Sequence, residues 1–286
     1  MQEVEMEWVG GFEARIGHFF NLGQNAWEIV YWGIFPFQQE SVLIDVNVNG
    51  ALNAILNFDQ LSINVGGVPT VVGDWVDNAD AHRLRRDFDI HNVEFNVWNY
   101  TGCSAVGCRS RITYNWGFGG RYFRVDEKLQ FSAKENGTGI VFDDSTNQIN
   151  YDVDVDNNLI GAQIIGNGQY FLNNCLSFSV GTKVGVYANV INHRSRIYNI
   201  DGTAFVNNGP NNGAEFDVTS NKTDVALMAE LNVGFNYQFN QRWNAYSGYR
   251  ALGITSLATA TGQIPRDLRG VQDVQIIDSN DGVLLH

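Results

Sequence analysis

Asp80 and His82 form a carboxylate–imidazole pair close in sequence, an arrangement that can relay a proton in hydrolysis. No Gly-x-Ser-x-Gly nucleophile elbow accompanies it. The other histidines are His18, His91, His193 and His286. A histidine in a surface loop is more often solvated than catalytic, so the chain reads as a non-enzyme. Cys103 and Cys108 lie in one fairly short connection. In an oxidising compartment they could close a local disulfide; two free thiols are the alternative. Their spacing is not a metal motif, and Cys175 has no evident partner. Aspartates gather in three places: Asp74, Asp77 and Asp80; Asp143, Asp144, Asp152, Asp154 and Asp156; Asp273, Asp278 and Asp281. Clustered oxygens could take calcium. The nearest approach to a calcium loop, Asp278–Gly282, has its Gly one place early and no closing Glu. Asp152, Asp154 and Asp156 also share one face of a strand, where solvation explains them. The residues call for no cofactor and no metal centre, with calcium at the acidic loops kept as a minor alternative.

A last set is more regular. Glu13, Arg15, Glu28, Glu94, Arg121, Lys183, Glu230 and Arg250 are four acids and four bases, each on the polar side of an alternating run. The runs are unusually long. From Asp224 to Phe239, one face reads Val225, Leu227, Ala229, Leu231, Val233, Phe235, Tyr237 and Phe239. The other carries Glu230, Asn232, Gly234 and Asn236. A helix would mix the two sets, whereas a strand separates them. Leu176–Asn192 repeats the pattern. From Ile112, Tyr114, Trp116, Phe118 and Tyr122 face away from Thr113, Asn115, Gly117 and Arg121. Further strands are expected over about 3–20, 26–37, 86–100, 158–172 and 242–257, with a last one starting at Gly282.

Such lengths exceed the usual five or six residues of a soluble strand and suit a tilted strand crossing a bilayer. Short and long connections also alternate. The short ones fall at Asn21–Asn25, Tyr100–Ser110, Asn173–Asn174 and Asn240–Gln241; the long ones span about 38–85, 135–157, 193–221 and 258–281. Outer-membrane barrels have short periplasmic turns and long outer loops. All four prolines, Pro36, Pro69, Pro210 and Pro265, are expected at strand ends or in the long loops, because proline donates no ladder hydrogen bond. Trp27, Trp98, Trp243, Tyr170, Tyr237 and Phe239 cluster near the short turns, as an interfacial girdle would.

Composition agrees. Only 17% of the 286 residues are charged, against about 25% in soluble domains, while 13% are aromatic. The net charge of -13 excludes a general nucleic-acid binder. No stretch approaches the roughly 20 apolar residues of a membrane helix. Met1-Gln2-Glu3-Val4-Glu5 is not a signal peptide. Counting strand directions from the turns places the first and last strands both starting on the long-loop side. We therefore expect a single barrel domain over 1–286, truncated at both ends. Eight strands closing with both ends outside is the alternative.

The residues then resemble a family. Gly11-Phe12-Glu13-Ala14-Arg15-Ile16-Gly17 leads into Ala26-Trp27-Glu28. Gly119-Gly120-Arg121-Tyr122-Phe123-Arg124-Val125-Asp126-Glu127 and Asn158-Leu159-Ile160-Gly161-Ala162-Gln163 follow. Lys183-Val184-Gly185-Val186-Tyr187-Ala188-Asn189 and Gly248-Tyr249-Arg250-Ala251-Leu252 complete the set. This order is similar to that of the porin-like outer-membrane β-barrel proteins abundant in planctomycetes. The resemblance implies a barrel in the outer membrane and no particular substrate. Members usually begin with a strand rich in Leu and Trp, which is missing here, and finish a strand after a His-Gly-like step near His286.

The expected fold is thus an all-β, antiparallel, up-and-down transmembrane β-barrel of about eight to ten strands, ten in the complete protein. The eight charges would line its lumen, and pairing is their default because a lone buried charge is costly. About eight strands leave just enough room for side chains, and a diffusion porin needs about 16. The lumen is therefore expected to be largely filled. The chain reads as a structural or surface-exposed barrel with acidic outer loops, contacting outer-membrane lipid. A narrow channel for small solutes is the alternative, and a soluble lipocalin-like binder is a third class.

Overall fold

The computed structural model describes residues 9–45, 52–100, 111–135, 137–209, 211–240, 243–265, 268 and 277–285. In chain order the elements are β1 (Gly11–Phe20), β2 (Asn25–Ile44), β3 (Leu61–Val65), β4 (Val68–Val71), a one-turn helix α1 (Gly73–Val76) and β5 (Ala81–Tyr100). Then follow β6 (Ile112–Lys134), β7 (Gln148–Phe171), β8 (Leu176–Asn199), β9 (Gly202–Thr203) and β10 (Phe205–Val206). The last are β11 (Asp217–Gln238), β12 (Asn244–Leu257) and β13 (Asp281–Leu285). One antiparallel sheet runs β1-β2-β5-β6-β7-β8-β11-β12-β13, with β9 beside β8. A separate three-stranded sheet, β10-β3-β4, is built by two of the long connections.

The sheet curls until its first and last strands approach. Glu13 on β1 meets Arg250 on β12 at 2.5 Å, although the two stand near opposite ends of the strand order. The expected closure is not completed. Among the described residues no ladder joins β1 to β12 or β13. The physical reason is where the partners stop: among the described residues β13 pairs with β12 only between Leu252 and Leu257, and the backbone of β1 forms a ladder only with β2.

Register rows sort the outward face sharply. Val93, Tyr122, Ile160, Ala188 and Val225 are neighbours across five strands. Five more alternate rows continue toward the short turns, ending at Ile112, Tyr170, Phe178 and Phe235. These rows are apolar yet exposed: Ile164 is 72% exposed and Val225 64%. On the other side of the Val93 row the face turns polar. Asp89, Asp126, Asp156, Asn192 and Asn221 form one row; Asp87, Lys128, Asp154, Arg194 and Thr219 form the next. Arg124 binds Asp156 at 2.8 Å and Arg194 binds Asp217 at 2.7 Å, holding the Asp217 carboxyl below its ordinary range.

The strands run further than the periodicity predicts, because their buried face changes. In β7, Ile149, Val153, Val155 and Leu159 point inward, whereas Ile160 and Ile164 point outward. Beyond the apolar band, the inner face packs on a lid. Phe58, Leu61, Ile63, Trp75 and Val76 from one long connection, Val206 and Phe216 from another, and Ala258 and Ala260 from the last form one core with Tyr151, Ile191 and Ile197. Pro69 sits on β4, an edge strand of the lid sheet, where a missing donor is tolerated. Pro36 lies inside β2 rather than at its end; the register shifts between Ile34 and Phe37, and such a bulge accommodates it.

His193 is buried on the inner face of this polar extension, with Ser220 Oγ at 3.0 Å from Nδ1 and Ser195 Oγ at 2.9 Å from Nε2. Burial pushes its pKa down to about 4. The unfolded chain therefore takes up a proton that the folded chain refuses. Stability is unaffected above about pH 6.5 and should fall by about 1.4 kcal/mol per pH unit from there toward pH 4. Denaturant unfolding across that window checks this. His193→Gln should flatten the slope, and an unchanged slope would show that other groups set it.

Candidate functional site: an interior ion-pair network

Alternation brings the predicted charges to the shielded face. Glu94 of β5 is the register partner of Arg121 on β6, and Lys183 of β8 is the partner of Glu230 on β11. Strand β7 separates the two couples. The strongest contacts cross it. Lys183 Nζ donates to Glu94 Oε1 at 2.9 Å, and Arg121 Nη1 donates to Glu230 Oε2 at 2.9 Å. Lys183 also lies 3.2 Å from Glu230, and Arg121 3.8 Å from Glu94. The four charges thus form a ring across the interior. The Glu94 and Glu230 side chains are fully buried.

On β7, Gly161 makes room for the ring of Tyr187: a Cβ at this position would sit 2.8 Å from that ring and would also overlap the Val186 carbonyl oxygen. Tyr187 lies over Gly161, donating to Gln163 Oε1 at 3.1 Å, while Gln163 Nε2 donates to Glu94 Oε2 at 2.9 Å. Amides supply further partners. Asn92 and Asn96 donate to Glu94, and Asn232 donates to Glu230. Charged groups removed from water need such partners to offset their desolvation. Arg121 Nη2 has no hydrogen-bond partner among the described residues, and its guanidinium lies over the Trp32 and Phe123 rings instead.

The other predicted charges form a shallower layer. Glu13 accepts from Arg15 Nε at 2.6 Å and from Arg250 Nη2 at 2.5 Å. Arg250 Nε donates to Asn232. Glu28 accepts from Asn96 and from Trp98 Nε1. Trp98 thus points inward, correcting its expected place in an outward girdle, because its N–H has an anionic acceptor there. Tyr170, Tyr237, Phe239 and Trp243 are exposed near the short turns, as expected.

Toward the long loops the ring is capped by a second apolar core containing Trp32, Phe123, Leu159, Tyr187, Met228 and Leu252. Toward the short turns lies a cavity of about 430 Å³, bordered by Glu13, Arg15, Lys183 and Arg250. The arrangement holds paired charge at the floor of that cavity; among the described residues it presents no activated nucleophile.

The remaining candidates are not assembled into sites. His82 Nε2 contacts the Val76 carbonyl, while Asp80 accepts from the Gly139 amide, so the two do not form a relay. Asp278 binds the Asn280 amide and Asp281 accepts from Thr259. Among the described residues, no group of three or more His, Cys, Asp or Glu is placed to hold a metal. Cys103, Cys108 and Asp273 lie outside the described residues. Cys175 is exposed and free.

Sequence reading missed the amides Asn92, Asn96, Gln163 and Asn232. Their inward parity beside the charges was the available signal. Compared with known proteins, residues 84–278 match a family model described as "Putative beta barrel porin-7 (BBP7)". No curated protein and no solved structure matches the chain.

Proposed function

The chain belongs to the beta barrel porin-7 family, and from that premise we propose that it is a single outer-membrane β-barrel domain closed to bulk flow by its own side chains. The observation that carries the reading is the buried ring of Glu94, Lys183, Glu230 and Arg121, capped by an apolar core and a lid. The apolar rows support the membrane assignment: Ile112 through Tyr122 matches the ~9–11 residues of a tilted spanning strand. With apolar residues outside and charge inside, the sheet is the inverse of a lipocalin-like binder. The role is then surface display of the lid and acidic loops rather than diffusion of solutes.

A bilayer leaves no unpaired backbone in hydrocarbon, so the seam has to close. The free part of β12 lies below Leu252, and the Glu13–Arg250 contact places β1 beside it. We place Glu13 opposite Arg250, an antiparallel register that also sets Phe12 opposite Ala251, just below the last residue that β13 covers. In a protein whose native cysteines are replaced by serine, Ile16→Cys with Ser247→Cys should then form a disulfide readily. Ile16→Cys with Tyr249→Cys should not; failure of the first pair refutes this register. Planar-bilayer recording of the same protein tests the closed interior. No steady conductance steps are expected, and large steady steps would return the reading to a narrow channel.

A further inference from the structure

The ion-pair ring leaves open the space on its short-turn side. The cavity of about 430 Å³ there continues into a hollow of about 270 Å³ at the turns, and the two share Gln169 and Asn236. Together they form a blind funnel with its floor at the charges. The floor is asymmetric. The Glu94 and Glu230 side chains are fully buried behind Lys183, while those of Arg15 and Arg250 are 49% and 29% exposed. Arg15 spends its Nε on Glu13, and its terminal amino groups have no hydrogen-bond partner among the described residues. A solute reaching the floor meets three cations and one carboxylate, in a chain whose net charge is -13. The walls are amide and hydroxyl, with Trp98 and Tyr246 as apolar faces.

We infer that this funnel binds a small hydroxylated organic anion, a carboxylate or phosphate on a body the size of a sugar, entering from the short-turn side. The guanidinium fork of Arg15 suits a planar carboxylate or a phosphate. Side-chain amides such as Asn236 and Gln169 both donate to and accept from hydroxyls. The volume falls within the range of small-molecule sites. The inference rests on the closed-barrel reading, since in an open pore the same residues would only be passed.

The test is calorimetric titration of the full chain, folded in detergent, with glucuronate and glucose 6-phosphate, against glucose and glucosamine. Saturable binding is expected for at least one anion, with glucose about tenfold weaker or more, about 1.4 kcal/mol. Arg15→Gln should lose about the same factor, with the heat-dependent gel shift of the folded barrel retained. Ser179→Trp, which fills the cavity from an inward-facing position and removes no charge, should abolish binding and serves if Arg15→Gln fails to fold. Comparing the two anions tells a carboxylate site from a phosphate site. Equal binding of glucose and glucuronate, no saturation by either anion, or full binding by the Ser179→Trp protein would overturn the inference. Conductance on the same preparation is read separately. Steady steps with binding intact would defeat the closed barrel and leave the site; silence with no binding would do the reverse.

Discussion

Glu94→Gln should lower the unfolding free energy by about 3–5 kcal/mol. The substitution keeps the shape and removes one of two carboxylates that face Lys183 and Arg121. Glu230 then remains as the only anion in the ring, opposite two buried cations. Breaking a buried pair costs more than the pair contributes, because the orphaned charge keeps its desolvation penalty. Replacing both partners by apolar groups removes that penalty. Glu94→Met with Lys183→Met should therefore recover most of the loss. Urea unfolding in lipid vesicles, followed by tryptophan fluorescence, measures both. A loss below about 1 kcal/mol for Glu94→Gln would mean that water reaches the ring, as at an exposed ion pair.

The second large effect concerns the outward face. Ile164 lies in the middle of the apolar rows, beside Phe118 and Val184. Ile164→Arg should cost about 2–4 kcal/mol in a bilayer, the figure for a cation near the midplane of a barrel. Asn192 lies in the polar rows beside Asp156. Asn192→Arg should be close to neutral, about 0–1 kcal/mol. Folding yields and unfolding midpoints in vesicles read the contrast. Equal effects at the two positions would remove the boundary that the register rows draw, and with it the membrane assignment.

Much of this was legible from alternation alone. All eight charges fall on the shielded side, since parity is a property of strands that tertiary context does not alter. What alternation could not give is which charges would meet. Register pairs Glu94 with Arg121, yet the contacts run to Lys183 across β7. That depends on the curvature of the sheet, which is not a local signal. The outer extensions were missed for a related reason. Tracking one apolar face along β7 loses the strand near Asn158, because inward Val155 and outward Ile160 belong to different parities. The polar stretch of Asp152, Asp154 and Asp156 then reads as loop, although its solvated face was visible. The lid was illegible because its sheet joins Ser62 to Phe205, residues far apart in sequence.

The polar extension also fixes a distance. From Asn158 to Gln148, β7 continues past the apolar rows for about 33 Å at about 3.3 Å per residue. At the usual barrel tilt of roughly 40°, that lifts the lid about 25 Å above the lipid. In the proposed orientation, a stalk of paired Arg and Asp side chains then stands between the bilayer and the acidic loops, and a molecule approaching from outside would touch those loops before it came within reach of the headgroups.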